Sequence, residues 1–145
     1  MLVVFPVGLW VFSLICDLIY HAAAHNEFWK GVAFYTMLVG VIGALLAAAP
    51  GFIDYLSLRD PRIKKIATTH MALNLIVLAL FLFNLGIRYN PAAESELLGV
   101  FLSIVGIVIL AVSGWLGGTL VYIYGVAVAA PSSTEDYRRA ALIRL

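Results

Sequence analysis

Long apolar runs alternate with short polar breaks along this chain, and the length of the runs decides how they are read. Apolar stretches cover about Leu2 to Ala23, Phe28 to Leu58, Pro61 to Tyr89 and Asn90 to Ala129. Each exceeds the ~20 residues that a helix needs to cross a ~30 Å hydrocarbon core. The pattern predicts an all-α integral membrane four-helix bundle, up-down-up-down, over residues 1–130. Pro6 falls in the opening turns of the first run, where a missing backbone donor does least harm. The second run is longer than a crossing requires, so tilt or a kink is expected. Pro50 would supply the kink by crowding the carbonyl of Leu46, next to Gly51.

Start signals punctuate the breaks. Asp60 as N-cap with Pro61 at the first helical position opens the third helix, and Asn90 with Pro91 repeats the signal for the fourth. After Pro131 the pattern changes: Ser132 with Glu135, or Ser133 with Asp136, fits a capping box, and Tyr137, Ala141 and Leu145 recur at helical spacing. Residues 131–145 are therefore expected to form a short basic amphipathic helix on the membrane surface, with a frayed tail as the competing reading.

Composition sharpens the picture. The chain is 63% hydrophobic and 12% charged, where a soluble domain carries roughly a quarter charged residues. The one cysteine, Cys16, lies inside the first run and offers no disulfide framework. A net charge of +1 leaves no electrostatic footprint for nucleic acid. A cleavable leader would explain Ala22 and Ala24, yet no basic segment precedes the first run and Asp17 is foreign to such a segment. Arg59, Arg62, Lys64 and Lys65 in the second break, with Arg138, Arg139 and Arg144 in the tail, face Lys30 and Arg88 on the other side. That asymmetry predicts that both termini are cytoplasmic.

Small residues mark expected packing faces: Gly43, Ala47 and Gly51 on the second helix, and Gly99 with Ser103 and Gly114 with Gly118 on the fourth. They serve helix contacts within one chain or a homo-oligomer. Ionisable groups inside spans are the candidates for chemistry. Counting a ~1.5 Å rise per residue from the cytoplasmic end of each helix puts Asp17 at roughly 24 Å depth, with Asn74 and Ser113 at roughly 20 Å. A single mid-membrane layer that also takes in Trp115 is expected. Asp54 and His70 fall nearer the cytoplasmic end, within side-chain reach, and His70 shares a helix face with Asn74. His21 and His25 are four apart at the outer end, where water is their expected partner.

The run Gly114-Trp115-Leu116-Gly117-Gly118, followed by Leu120-Val121-Tyr122 and Gly125-Val126 with Val128, resembles the fourth-helix signature of domain-of-unknown-function family 2231, small prokaryotic four-span membrane proteins. Asp17, Asp54 within Gly51 to Tyr55, and His70 with Asn74 also fit that pattern. The resemblance implies a redox setting, because family members are sometimes joined to Rieske-type iron–sulphur domains. It also implies a His-Pro pair ahead of Leu2 to Pro6, and often a histidine where this chain has Tyr124. The chain begins at Met1 without that pair. Either the start lies further upstream or the site lacks that ligand.

Three functions from different classes follow. The first is a non-catalytic membrane subunit that anchors or organises an iron–sulphur or cytochrome redox partner. The second is an electron-transfer component holding haem, a metal ion or quinone near Asp54, His70, Asn74 and Tyr124. The third is a proton or small-solute carrier using Asp17. One buried histidine does not complete a haem or zinc site, so the first leads. A colourless protein with His70 hydrogen-bonded to Asp54 is expected. No hydrolase is indicated, since neither a G-x-S-x-G elbow nor a Cys/His pair at one depth occurs.

Overall fold

The computed structural model of the chain describes residues 3–22, 25–90 and 96–128. Four helices follow one another: α1 (Val4–Ala22), α2 (Glu27–Ser57), α3 (Pro61–Tyr89) and α4 (Glu96–Tyr122). All four are long and apolar enough to cross a membrane. The tail predicted for 131–145 and the α4 start predicted at Pro91 lie outside the described residues.

Local chemistry sets the ends that are described. The Asn26 side chain accepts from the Phe28 amide at 3.0 Å and opens α2. The Asp60 carboxylate accepts from the amides of Arg62 and Ile63 at 2.7 and 3.4 Å, with Pro61 at the first position of α3, as expected from the sequence. Asn90 caps the C-terminus of α3, its amide bonded to the Ile87 carbonyl. α2 continues unbroken through Pro50 over 31 residues. That is about 46 Å by helical rise, so α2 must tilt or project to match a ~30 Å core.

The fourth helix stops at Tyr122, short of the expected Ala129. Gly125 takes a left-handed conformation at φ 65°, and the amides of Gly125 and Val126 turn back to the carbonyls of Val121 and Leu120. A glycine cap of this kind satisfies the last carbonyls and ends a helix.

The helices form a ring in chain order. α1 packs closely on α2 and α3 on α4, giving two tight hairpins, while the α2–α3 and α1–α4 seams are sparser. At the centre, the Trp10 ring of α1 stacks on Phe81 of α3, with centroids 4.2 Å apart and planes 7° from parallel. Met37, Val41, Val77 and Leu110 complete this buried layer. Two glycines make it fit. A Cβ at Gly40 would lie 2.6 Å from Trp10 Nε1, and one at Gly106 would lie 2.8 Å from Phe81 Cε2. The Trp10 indole N–H donates to the Met37 carbonyl, one turn before Gly40.

The expected glycine faces are realised in part. Gly99 meets Asn84 and Arg88, and Gly43 meets Phe5 and Pro6. Gly51 and Gly114 have no neighbour within 4 Å of a built Cβ, and Gly118 meets only Tyr122 of its own helix. The close approach on that part of α4 is made by Gly117, against His70.

Candidate functional sites at the two ends of the bundle

The Trp10–Phe81 stack sets the relative height of α1 and α3. Asp17 lies seven residues beyond Trp10, and Arg88 seven beyond Phe81, so both stand about 10 Å past the stack at the end carrying the α1–α2 and α3–α4 connections. There they form a bidentate ion pair. Arg88 Nη1 donates to Asp17 Oδ1 at 2.7 Å and Nη2 to Oδ2 at 2.6 Å. The two side chains are 7% (Asp17) and 13% (Arg88) exposed.

A third element locks the pair. Asn84, fully buried, accepts from Arg88 Nε at 2.9 Å through Oδ1 and donates from Nδ2 to the Gly99 carbonyl at 2.8 Å and to Ser103 Oγ at 2.9 Å. The Ser103 hydroxyl in turn donates to the Gly99 carbonyl. One turn towards the stack, Ser13 Oγ donates to the Ala33 carbonyl at 2.7 Å. Polar groups from all four helices are thus satisfied at this end, as buried polar groups require.

The single mid-membrane layer expected from helical counting is corrected by this arrangement. Phe81 is roughly 30 Å from the start of α3 and Trp10 roughly 9 Å from the start of α1, yet they stack. α3 therefore begins far beyond α1, and Asp17 levels with Arg88 rather than with Asn74. Trp115, placed in the same layer by counting, is 79% exposed on the outside of the bundle.

Above the ion pair a cleft of about 1100 Å³ opens between the four helices. Asp17 and Arg88 form its floor, and Tyr20, Glu27, Lys30 and Tyr35 are on its walls and rim. The histidines expected to meet water line it too. His21 and His25 make edge contacts with the Tyr20 ring and with each other. The Lys30 ammonium sits 5.4 Å from the centroid of the same ring.

The second polar cluster is on the other side of the apolar layer. His70 Nδ1 lies 2.8 Å from the Ser113 carbonyl and 3.0 Å from Ser113 Oγ, and Nε2 lies 3.1 Å from Asn74 Nδ2. A neutral ring with its proton on Nδ1 satisfies every partner: it donates to Ser113 and accepts from Asn74. Asn74 also donates to the His70 carbonyl. The expected His70–Asp54 hydrogen bond is replaced by these, because Ser113 on α4 and Asn74 one turn along α3 already occupy both nitrogens. Asp54 is half-buried near the end of α2, and Tyr124 is 43% exposed in the turn after α4. No hydrogen bond or ion pair joins either to His70 among the described residues.

Haem or a metal ion at His70 would need its Nε2, which the Asn74 amide covers. Room is also lacking, since a Cβ at Gly117 would already sit 2.9 Å from His70 Cε1. The residues as arranged do not fit a haem. Among the described residues no three His, Cys, Asp or Glu side chains cluster with metal-binding geometry.

Sequence reasoning missed Asn84 altogether and left Arg88 among the loop charges. A signal was present. Asn84 and Arg88 are four apart on one helix face, and a carboxylate inside a span calls for a cation.

The model of domain-of-unknown-function family 2231 (DUF2231), described as a predicted membrane protein, matches residues 1–130. No curated protein and no solved structure matches the chain.

Proposed function

We propose, for a chain that belongs to domain-of-unknown-function family 2231 and crosses the membrane four times, that it is a non-catalytic membrane subunit whose surface anchors a redox partner. The observation that carries this reading is the closed interior. Trp10, Met37, Val41, Val77, Phe81 and Leu110 form an unbroken apolar layer between two polar clusters whose buried side-chain atoms all have partners within the chain. A carrier needs a polar path past that layer, and a cofactor needs free donors. Neither need is met by Asp17, which Arg88 holds by both oxygens, or by His70.

What remains for function is the surface. The α2–α3 turn presents Arg59, Arg62, Lys64 and Lys65, all exposed. Lys64 lies over the Tyr55 ring, whose hydroxyl is hydrogen-bonded with Thr68, so the base of this basic patch is rigid. The positive-inside rule puts the patch and both termini in the cytoplasm of a prokaryotic cell. An acidic face of an iron–sulphur or cytochrome protein is the partner such a patch suits, and the redox setting comes from the family resemblance.

The test is cross-linking in native membranes. A photoreactive residue at Arg62 should capture an iron–sulphur or cytochrome polypeptide, and deleting the chain should release that polypeptide from the membrane fraction. Undiminished membrane attachment in the deletion strain, with no cross-link at Arg62, would refute the anchoring role.

A further inference from the structure

At the end that carries the α2–α3 turn, the four helices do not finish together. Measured by helical rise from the Trp10–Phe81 stack, α1 begins at Val4, only ~9 Å away, whereas α2 continues ~26 Å past Gly40, α3 starts ~30 Å away and α4 continues ~24 Å past Gly106. Among the described residues, the corner of the ring between α2 and α4 is therefore vacant over ~15 Å. The face of α2 that α1 covers continues into this corner. Gly40 meets Trp10, and Gly43 meets Phe5 and Pro6. Gly51 stands about three turns beyond Gly40, and Asp54 about three turns beyond Gly43, so both keep to that face. A Cβ at Gly51 would have nothing within 4 Å. Asp54 is half-buried, level with the last turn of α4, and its carboxylate has no hydrogen bond or ion pair among the described residues.

We infer that the chain's own C-terminal segment, residues 129–145, folds across the mouth of this corner and pairs an arginine with Asp54. The turn after α4, with Gly125 left-handed, brings Val128 to this end of the bundle on a helix that borders the corner. On the amphipathic helix expected for the tail, Arg138 and Arg144 flank the Tyr137, Ala141 and Leu145 stripe at ~60° from its centre, while Arg139 falls on the opposite side. The stripe therefore meets the open glycine face with a cation at each edge. Length suffices as well. A helix over 133–145 is ~20 Å long, and α4 and α2 are ~14 Å apart on the diagonal of a four-helix ring. A second copy is a poorer occupant, because packing this face on itself about an axis along the membrane normal sets Asp54 against Asp54. The inference is independent of the anchoring role, since Arg59, Arg62, Lys64 and Lys65 stay free for a partner.

Disulfide trapping of the full chain in native membranes tests it. Gly51→Cys is combined with Ala141→Cys, and the control combines Ile53→Cys with Ala141→Cys, Ile53 being 65% exposed at the same depth on the outer side of α2. After oxidation and denaturation, a maleimide mass tag separates linked chains, which are tagged only at the buried Cys16, from unlinked ones. The Gly51 pair should link within one chain about tenfold faster than the Ile53 pair, the gain in effective concentration that docking gives over tethering alone. Asp54→Arg should bring the two rates to within about threefold of each other. Adding Arg138→Asp and Arg144→Asp to that variant should restore the preference. Equal linking at Gly51 and Ile53 would mean that the tail lies on the lipid surface without a fixed seat, and would overturn the inference. Links that form mainly between chains, or a Gly51 preference indifferent to Asp54→Arg, would overturn it too.

Discussion

Removing one member of the Asp17–Arg88 pair should hurt far more than removing both. Taken alone, an intramembrane aspartate looks like a polar cost that Asp17→Leu would relieve. The structure reverses that expectation, because the change strips two charge-assisted hydrogen bonds from Arg88 and leaves a guanidinium that is 13% exposed without its counter-ion. Breaking a buried pair from one side costs about 3–5 kcal/mol. The cleft lets water reach Arg88, so a loss discounted to just below that range, about 2–3 kcal/mol, is expected here. In the double variant Asp17→Leu with Arg88→Met no charge is stranded. The remaining loss is the donor to Asn84 Oδ1, about 1 kcal/mol. The assay is reversible unfolding of the full chain in mixed dodecyl maltoside and sodium dodecyl sulphate micelles, followed by far-ultraviolet circular dichroism, as a double-mutant cycle. A coupling energy below about 0.5 kcal/mol would show that the pair is not what joins α1 to α3.

Gly106→Ala should destabilise by about 1–3 kcal/mol, since its Cβ would lie 2.8 Å from a Phe81 ring already pinned by Trp10. Gly114→Ala, with nothing within 4 Å, should be neutral within about 0.5 kcal/mol, and the same unfolding assay compares the two. A reporter active only outside the cytoplasm should give signal when fused at Asn90 and none when fused after Leu145; reversed activities would overturn the orientation. Protein purified from haem-replete cells should show no Soret band, and a stoichiometric band that disappears in His70→Ala would mean that Asn74 yields Nε2 to iron.

The four crossings were legible because apolar length and cap chemistry are local properties. Asp60 with Pro61 placed the start of α3, and the run to Tyr89 placed its end, without knowledge of any neighbour. The end of α4 was misplaced because an apolar run does not reveal backbone handedness: Val126 and Val128 continue the hydrophobic pattern past a glycine that has already turned left. The site failed for a different reason. Depth measured from helix starts assumes that the helices begin level, and here α1 has 19 residues and α3 has 29. The Trp10–Phe81 stack and the Asp17–Arg88 pair fix their stagger, and the stack depends on Gly40 and Gly106, whose partners on other helices the sequence does not name. The His70–Asn74 pairing was legible because spacing within one helix is independent of stagger.

The same stagger explains how the polar groups are distributed. Within each hairpin a short connection limits the register, and close contacts such as Ser13 to Ala33 or His70 to Ser113 reinforce a pairing that the chain already favours. Between hairpins the seams are sparse, and lipid offers apolar side chains as good a neighbour as another helix does. Dispersion at the Trp10–Phe81 stack is directional only in part, so sliding α1 along α3 by one turn needs another penalty. The ion pair supplies it: a shift of ~5.4 Å would strand both charges near hydrocarbon. Asp17 and Arg88 are the only charged groups that join the two hairpins through an ion pair among the described residues. Among the described residues, the register between the two hairpins, and with it the shape of the cleft above, is therefore held by the Trp10–Phe81 stack together with one carboxylate and one guanidinium.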